Sequence, residues 1–118
     1  MKTPKNLTER ALVNKLIKAL QANSHRVYIH VDRDSGSQRH TSSGWDFLFA
    51  SDGRVVFVEA KTEKGKLSEW QDFTRAQITA ARSKFVVVHF SADGEFFTID
   101  GIKDWKIKIS AASVSDFI

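Results

Sequence analysis

Two short apolar segments of the chain each carry charged side chains that could share one site. Residues 45–50 hold Asp46, and residues 54–61 hold Glu59 and Lys61. Both segments are rich in aromatic and β-branched residues, which favour strands. Carboxylates and an ammonium group are the side chains with which proteins bind a hard divalent cation and neutralise an anion.

The dipeptide Asp52-Gly53 lies between the two segments and predicts a β-hairpin. With these two residues as the turn, Asp46 faces Glu59 across the hairpin, with Cβ atoms about 4.5–5.5 Å apart. Paired carboxylates repel each other and are costly to desolvate unless a cation lies between them. The hairpin therefore predicts a cation site.

The remaining parts of this site follow from strand alternation. Lys61 shares a face with Glu59, and Gly44 lies opposite Lys61, which predicts open space there. Mg²⁺ takes one or two carboxylates and completes its shell with other oxygens and water. We expect Asp46, Glu59 and the backbone carbonyl of Ala60 as ligands, with Lys61 orienting a water molecule or neutralising a phosphate.

Each of these residues also has a structural explanation. Taken singly, Asp46 is a strand-entry turn residue, and Glu59 with Lys61 is an exposed surface pair. Their apolar neighbours on the same predicted face, Leu48 and Phe57, indicate partial burial of the set. Buried charged groups favour an active site.

The rest of the chain predicts an α/β fold in the order α-β-β-β-α-β, with an extra C-terminal β segment. A mixed sheet flanked by helices results, in a single domain over residues 1–118. The helices are expected from Thr8 to about Ala22, and from a capping box at Ser68–Gln71 to about Arg82. The further strands are expected at 26–31, 84–90 (central), 96–99 and from 103 (edge).

Composition limits the kind of protein. The 118 residues carry a net charge of +4 and contain no cysteine, which excludes disulfides, thiolate metal sites and cysteine nucleophiles. No apolar run approaches the roughly 20 residues of a membrane span, and the N-terminus is not of signal type. We expect a cytoplasmic protein encoded by a bacterium or a phage, with a polyanionic partner.

The motifs resemble those of a known superfamily. Gly44-Trp45-Asp46 followed by Glu59-Ala60-Lys61 is similar to the Asp…Glu-X-Lys signature of PD-(D/E)XK nucleases, although Trp45 stands where a proline is usual. The stretch 65–71, Gly-Lys-Leu-Ser-Glu-Trp-Gln, resembles the Gly-x-Leu-Ser-x-x-Gln motif of the virus-type replication–repair (VRR) nucleases. The resemblance covers about residues 8–90.

This resemblance implies a restriction-endonuclease-like core and a metal-dependent phosphodiesterase. Asp46 and Glu59 would then be metal ligands and Lys61 the catalytic lysine, with Gln71 as an accessory. Glu9 falls where these nucleases and the related Holliday-junction resolvases carry an acidic residue. The capping box explains Gln71 equally well, and the helix dipole explains Glu9, so both alternatives stay open.

The hypothesis for function is a Mg²⁺-dependent endonuclease, with Mn²⁺ as a substitute, that acts on DNA. Branched DNA in replication, repair or recombination is the expected substrate. The alternative is a non-catalytic nucleic-acid-binding or inhibitory protein on the same scaffold. DNA contacts are expected from the segment 32–44, which has no apolar side chain, and from the loop that follows Lys61. The residues expected to make them are Arg33, Arg39, His40, Lys64 and Lys66.

A homodimer is expected because symmetric cuts require two active sites. The apolar tail, with Trp105, Ile107, Ile109 and Phe117, either forms the dimer contact or closes the core of the monomer. No membrane association and no small-molecule cofactor are expected.

Overall fold

The computed structural model describes residues 8–24, 26–32, 44–100 and 103–118, and in the last range it describes side chains from residue 106. The predicted DNA contacts Arg33, Arg39 and His40 lie outside the described residues, as does the side chain of Trp105. Among the helices described, none is both long and apolar enough to cross a membrane.

The described elements form one six-stranded sheet with two helices, and the strands lie in chain order. All neighbouring strands are antiparallel except β3 and β4, which are parallel and joined through α2. The predicted order α-β-β-β-α-β in a mixed sheet, with an added C-terminal β segment, is confirmed. The bounds are α1 Glu9–Asn23, β1 Tyr28–Val31, β2 Phe47–Ser51, β3 Arg54–Lys61, α2 Glu69–Ala80, β4 Lys84–Phe90, β5 Phe96–Ile99 and β6 Lys103–Lys108.

The β2–β3 hairpin has the predicted turn. Asp52 and Gly53 both have positive φ, 53° and 77°, as a type I′ turn requires. This turn fixes the register and pairs Phe47 with Val58. The ladder ends there, one residue earlier than predicted, because the Asp46 N–H donates to the Val58 carbonyl at 2.8 Å. Asp46 thus precedes β2 rather than pairing within it.

Both helices begin at the predicted caps. The Thr8 hydroxyl accepts from the Ala11 N–H at 3.1 Å. At α2, the Ser68 hydroxyl accepts from the Gln71 N–H at 3.1 Å, and the Gln71 side-chain oxygen accepts from the Ser68 N–H at 3.0 Å. These bonds satisfy N–H groups that have no partner inside the helix. They also fix where α2 begins.

The main core lies between the sheet and α1, whose apolar stripe includes Leu16 and Leu20, both fully buried. The C-terminal tail closes this core, because Ile107, Ile109 and Phe117 are only 6%, 3% and 0% exposed. Of the two alternatives for the tail, the structure shows closure of the monomer core for these three residues and not a dimer contact. They lie in the hydrophobic core of the monomer, so they are not accessible to a partner.

Candidate active site

The predicted site residues meet in a cavity of about 290 Å³ at one end of the sheet. The cavity lies beside Asp46, which precedes β2, and Glu59, which lies near the end of β3, and the first turns of both helices reach it. Its lining includes Glu9 of α1 and Gln71 of α2. Four of the five side chains predicted to be catalytic from the sequence thus share one cavity: Glu9, Asp46, Glu59 and Gln71. The fifth, Lys61, contacts Glu59.

Asp46 is fixed by the irregular end of the hairpin. Its backbone N–H is bonded to Val58, and its side-chain Oδ2 accepts from the Ala60 N–H at 2.7 Å. The Asp46 side-chain oxygen therefore accepts the Ala60 N–H, in place of a backbone carbonyl of β2. The N–H and C=O groups of one strand residue point to the same side, so the Ala60 carbonyl is directed toward the Asp46 edge of β3.

Glu59 is a nearly buried carboxylate with two partners. The residue is 4% exposed. Its Oε2 accepts from Gln71 Nε2 at 2.7 Å and lies 3.5 Å from Lys61 Nζ. The ion pair confirms that Glu59 and Lys61 share a face of β3. Lys61 approaches from beside the cavity, with its side chain 15% exposed.

The two carboxyl groups both resist ionisation. The pKa of Glu59 is raised to about 8, first because burial disfavours the charged form and then because the Asp46 carboxylate is near. The ion pair with Lys61 and the bond from Gln71 act in the opposite direction. At neutral pH the pair therefore retains a proton on Glu59 unless a cation replaces it.

The pKa of Asp46 is also raised from its ordinary value of 3.8. Burial is the main cause, and the bond from the Ala60 N–H opposes it. The charges of Glu9 and Asp32 raise this pKa further, whereas Lys61 lowers it. Carboxylates from three separate elements thus act on one another in this region.

Gln71 makes the contacts of a helix cap and also contacts the candidate site. Its side-chain oxygen closes the capping box on Ser68, and its amide nitrogen donates to Glu59. The helix cap therefore fixes the position of the Gln71 amide relative to β3. One residue links the start of α2 to the buried carboxylate.

Gly44 does not leave the open space that its position opposite Lys61 predicted. Its φ is +92°, and a Cβ built there would lie 2.7 Å from Thr74 Oγ1. The space is filled by α2, because Thr74 is the buried residue of that helix. Glycine allows both the positive φ and this close approach, so α2 packs directly against the entry to Asp46.

Sequence reasoning missed Asp32, which follows β1 and lines the same cavity. Its N–H donates to the Asp46 carbonyl at 2.9 Å. The available signal is an acidic residue directly after an apolar strand. The polar segment 32–44 obscures this signal, because Asp32 is the first of its residues and resembles the start of a solvated loop.

Lys64 and Lys66 are exposed in the loop between β3 and α2. Lys66 lines a different cavity, beside α2 and β4, together with His89 and Arg75. The two lysines are thus near the candidate site in sequence but are not part of its lining.

The donor set fits a hard divalent cation. Within the described residues, no group of three or more His, Cys, Asp or Glu side chains is placed to hold a metal. The candidate ligands are instead two carboxylates, Asp46 and Glu59, and the Ala60 carbonyl. Mg²⁺ is commonly held this way, because it retains several water molecules. The mutual repulsion of the two carboxyl groups is what a cation would relieve.

Similarity to known proteins is found among solved structures. No family model and no curated protein matches the chain. Among solved structures, the chain is similar to Hjc, a Holliday junction resolvase from the archaeal hyperthermophile Archaeoglobus fulgidus. The identity is 17% and the TM-score is 0.48, with 92% of this chain and 86% of the resolvase covered.

Proposed function

We propose that the protein is a divalent-metal-dependent endonuclease of the PD-(D/E)XK type, related to the VRR nucleases, that hydrolyses DNA. One observation carries the proposal: Asp46 and Glu59 are held together in one cavity, with Lys61 and Gln71 both on the same Glu59 oxygen. A purely structural pair of this kind would be costly to bury. Binding of a cation and a phosphate would offset this cost.

Each side chain has a role that follows from its contacts. Asp46 and Glu59, with the Ala60 carbonyl, would hold Mg²⁺ or Mn²⁺, which when bound supplies Lewis-acid activation of water and phosphate. Gln71 orients Glu59. Lys61 lies beside the pair and donates to a non-bridging phosphate oxygen, where negative charge grows in the transition state.

Two features favour DNA as the substrate. The chain has a net charge of +4, which attracts a polyanion. We assign backbone contacts to Lys64 and Lys66, which are exposed beside α2, and to Arg33, Arg39 and His40. Contacts to phosphates position a protein on DNA but carry no sequence information. Recognition of a branched shape through phosphates is therefore favoured over recognition of sequence, with Glu9 completing the acidic cavity.

The decisive experiment measures cleavage of duplex, single-stranded, flapped and four-way DNA with Mg²⁺, with Mn²⁺ and with EDTA. We expect cleavage only with a metal, and fastest on branched DNA. Asp46→Asn should abolish cleavage. The matched control is Asp52→Asn, which removes the same charge at the exposed hairpin turn, where asparagine tolerates the positive φ; this variant should cleave normally.

The result also decides between the two candidate functions. A non-catalytic DNA-binding or inhibitory protein would bind these substrates equally well in EDTA and would cleave none of them. That outcome would refute the nuclease proposal. Equal cleavage of linear and branched DNA would refute only the preference for shape.

A further inference from the structure

The loop between β3 and α2 connects two parts of the candidate site. It begins after Lys61, contains residues 62–68, and leads to Gln71, whose amide contacts Glu59. The Gly65 N–H donates to the Thr62 carbonyl at 3.0 Å, which turns the loop back. Any change in the path of this loop therefore acts on both the lysine and the amide.

Gly65 is packed against the stem of the lysine. A Cβ added to Gly65 would lie 3.2 Å from the Lys61 Cβ, which is closer than ordinary van der Waals contact. The loop backbone thus forms one wall beside the first carbon of the Lys61 side chain. The position of this backbone therefore limits the directions that the Lys61 side chain can take.

His89 contacts the loop at Gly65. It is the β4 neighbour of Lys61 in the parallel register, so both side chains rise from the same face of the sheet. Its Nε2 lies 3.1 Å from the Gly65 carbonyl oxygen. A carbonyl oxygen only accepts hydrogen bonds, so the imidazole nitrogen carries the proton and donates.

We propose that His89 is a positioning residue: by donating to the Gly65 carbonyl, it holds loop 62–68 against Lys61 and so directs the ammonium group. The inference rests on the proposed function for its catalytic consequence. Among the described residues, no hydrogen bond or ion pair joins His89 to Glu59 or Asp46. It acts through Gly65, as outer groups orient the inner groups of many active sites.

The test compares His89→Leu, which removes the donor, with His89→Gln, whose amide can donate again. Cleavage is measured in single turnover at saturating metal and DNA. His89→Leu should lower the rate constant about 10- to 100-fold, with DNA affinity unchanged, and His89→Gln should restore most of the rate. The matched control is Thr98→Val, which alters the β5 neighbour of His89 and should leave the rate unchanged.

Gly65→Ala approaches the same contact from the other side, since the added methyl would press on the Lys61 Cβ. Combined with His89→Leu, its effect should be smaller than the product of the two single effects, because both variants disturb one arrangement. If His89→Leu folds poorly, Gly65→Ala alone still tests the contact, because it should lower the rate constant while His89 is intact. A merely structural histidine would lower the melting temperature without this coupling in the rate constant.

A second readout separates this inference from the nuclease proposal. The NMR scalar-coupling signals of the Lys61 side chain, which report its rotamers, should change in His89→Leu and return in His89→Gln, whether or not DNA is cleaved. Absence of cleavage by the wild-type protein would refute the proposed function alone. Lys61 signals that are the same in all three proteins, or a rate constant unchanged in His89→Leu, would overturn the positioning role.

Discussion

The two faces of the sheet are formed by alternate residues of the same strands, but one face is apolar and the other carries polar groups. In β3, Val56, Val58 and Ala60 point toward α1 and are at most 1% exposed. The ionisable residues Glu59 and Lys61, which alternate with them, point toward α2. One strand thus contributes to a hydrocarbon core on one side and to a polar site on the other.

The covers of the two faces differ as well. The α1 face is closed by that helix and by the C-terminal tail, which packs Phe117 against Phe49. Within α2, which is described in full, Thr74 is the one buried residue, and Trp70 and Phe73 are 49% and 52% exposed. The comparison teaches that stability is concentrated on the α1 face. That concentration lets the α2 face hold carboxyl groups whose burial is unfavourable.

The largest effect on stability is expected on the α1 face. Phe49→Ala should lower the free energy of unfolding by about 3–5 kcal/mol, because it leaves a cavity where a fully buried ring packs. Urea unfolding measures the change. Phe49→Leu, which retains most of the volume, should cost clearly less. Equal losses in the two variants would show that volume on this face is not what stabilises the fold.

On the α2 face, the largest effect is expected on activity. Lys61→Ala should lower the cleavage rate about 10²- to 10³-fold, as loss of one transition-state donor does, while metal binding and most DNA affinity remain. Single-turnover rates and DNA titrations measure this split. Lys84→Ala removes an exposed lysine at the other end of the sheet and serves as the control. A Lys61 variant with the wild-type rate would remove this residue from the mechanism.

The buried carboxyl pair should make stability depend on pH. Glu59 keeps its proton in the folded protein up to a pKa of about 8, whereas the ordinary value is 4.5. Between these values the unfolded chain releases a proton that the folded protein retains, so stability falls as pH rises through this window. Thermal unfolding without metal should show a fall of up to a few kcal/mol, and Glu59→Gln should largely abolish it. If the stability of Glu59→Gln falls with pH as much as that of the wild type, groups other than Glu59 cause the pH dependence.

Metal binding should reverse this loss. Mg²⁺ at about 100 times its dissociation constant should add about 2.7 kcal/mol of stability by mass action, and it should release a proton near neutral pH. Calorimetry in buffers of different ionisation enthalpy counts that proton. Asp46→Asn should lose the stabilisation by metal while unfolding no more easily than the metal-free wild type. Outright unfolding of Asp46→Asn would make the residue structural.

The smallest effects should separate the two roles of Gln71. Ser68→Ala removes a helix cap and should cost about 1 kcal/mol, with little change in the cleavage rate. Gln71→Ala removes the cap and the bond to Glu59, so it should lower both stability and rate. Urea unfolding and single-turnover rates of the two variants provide the comparison. An equal loss of rate in both would mean that the cap alone positions Glu59.

Much of the fold was predictable because its signals are local. A two-residue turn such as Asp52-Gly53 sets a hairpin register without distant contacts, and a capping box such as that of Ser68 and Gln71 marks a helix start. The hairpin register is enough to bring Asp46 close to Glu59. The end of the ladder was not predictable, because the Asp46 side chain replaces a backbone acceptor for Ala60.

By itself, the sequence determined the hairpin, the two capped helices, the order of helices and strands along the chain, and the grouping of Asp46, Glu59 and Lys61. Each of these follows from spacing of a few residues along the chain. Only the tertiary structure decided that Thr74 fills the space at Gly44, that the tail residues Ile107 and Phe117 close the monomer core, and that Asp32 and His89 join the surroundings of the site. These outcomes depend on packing between residues far apart in sequence, and packing is decided by shape and volume in three dimensions.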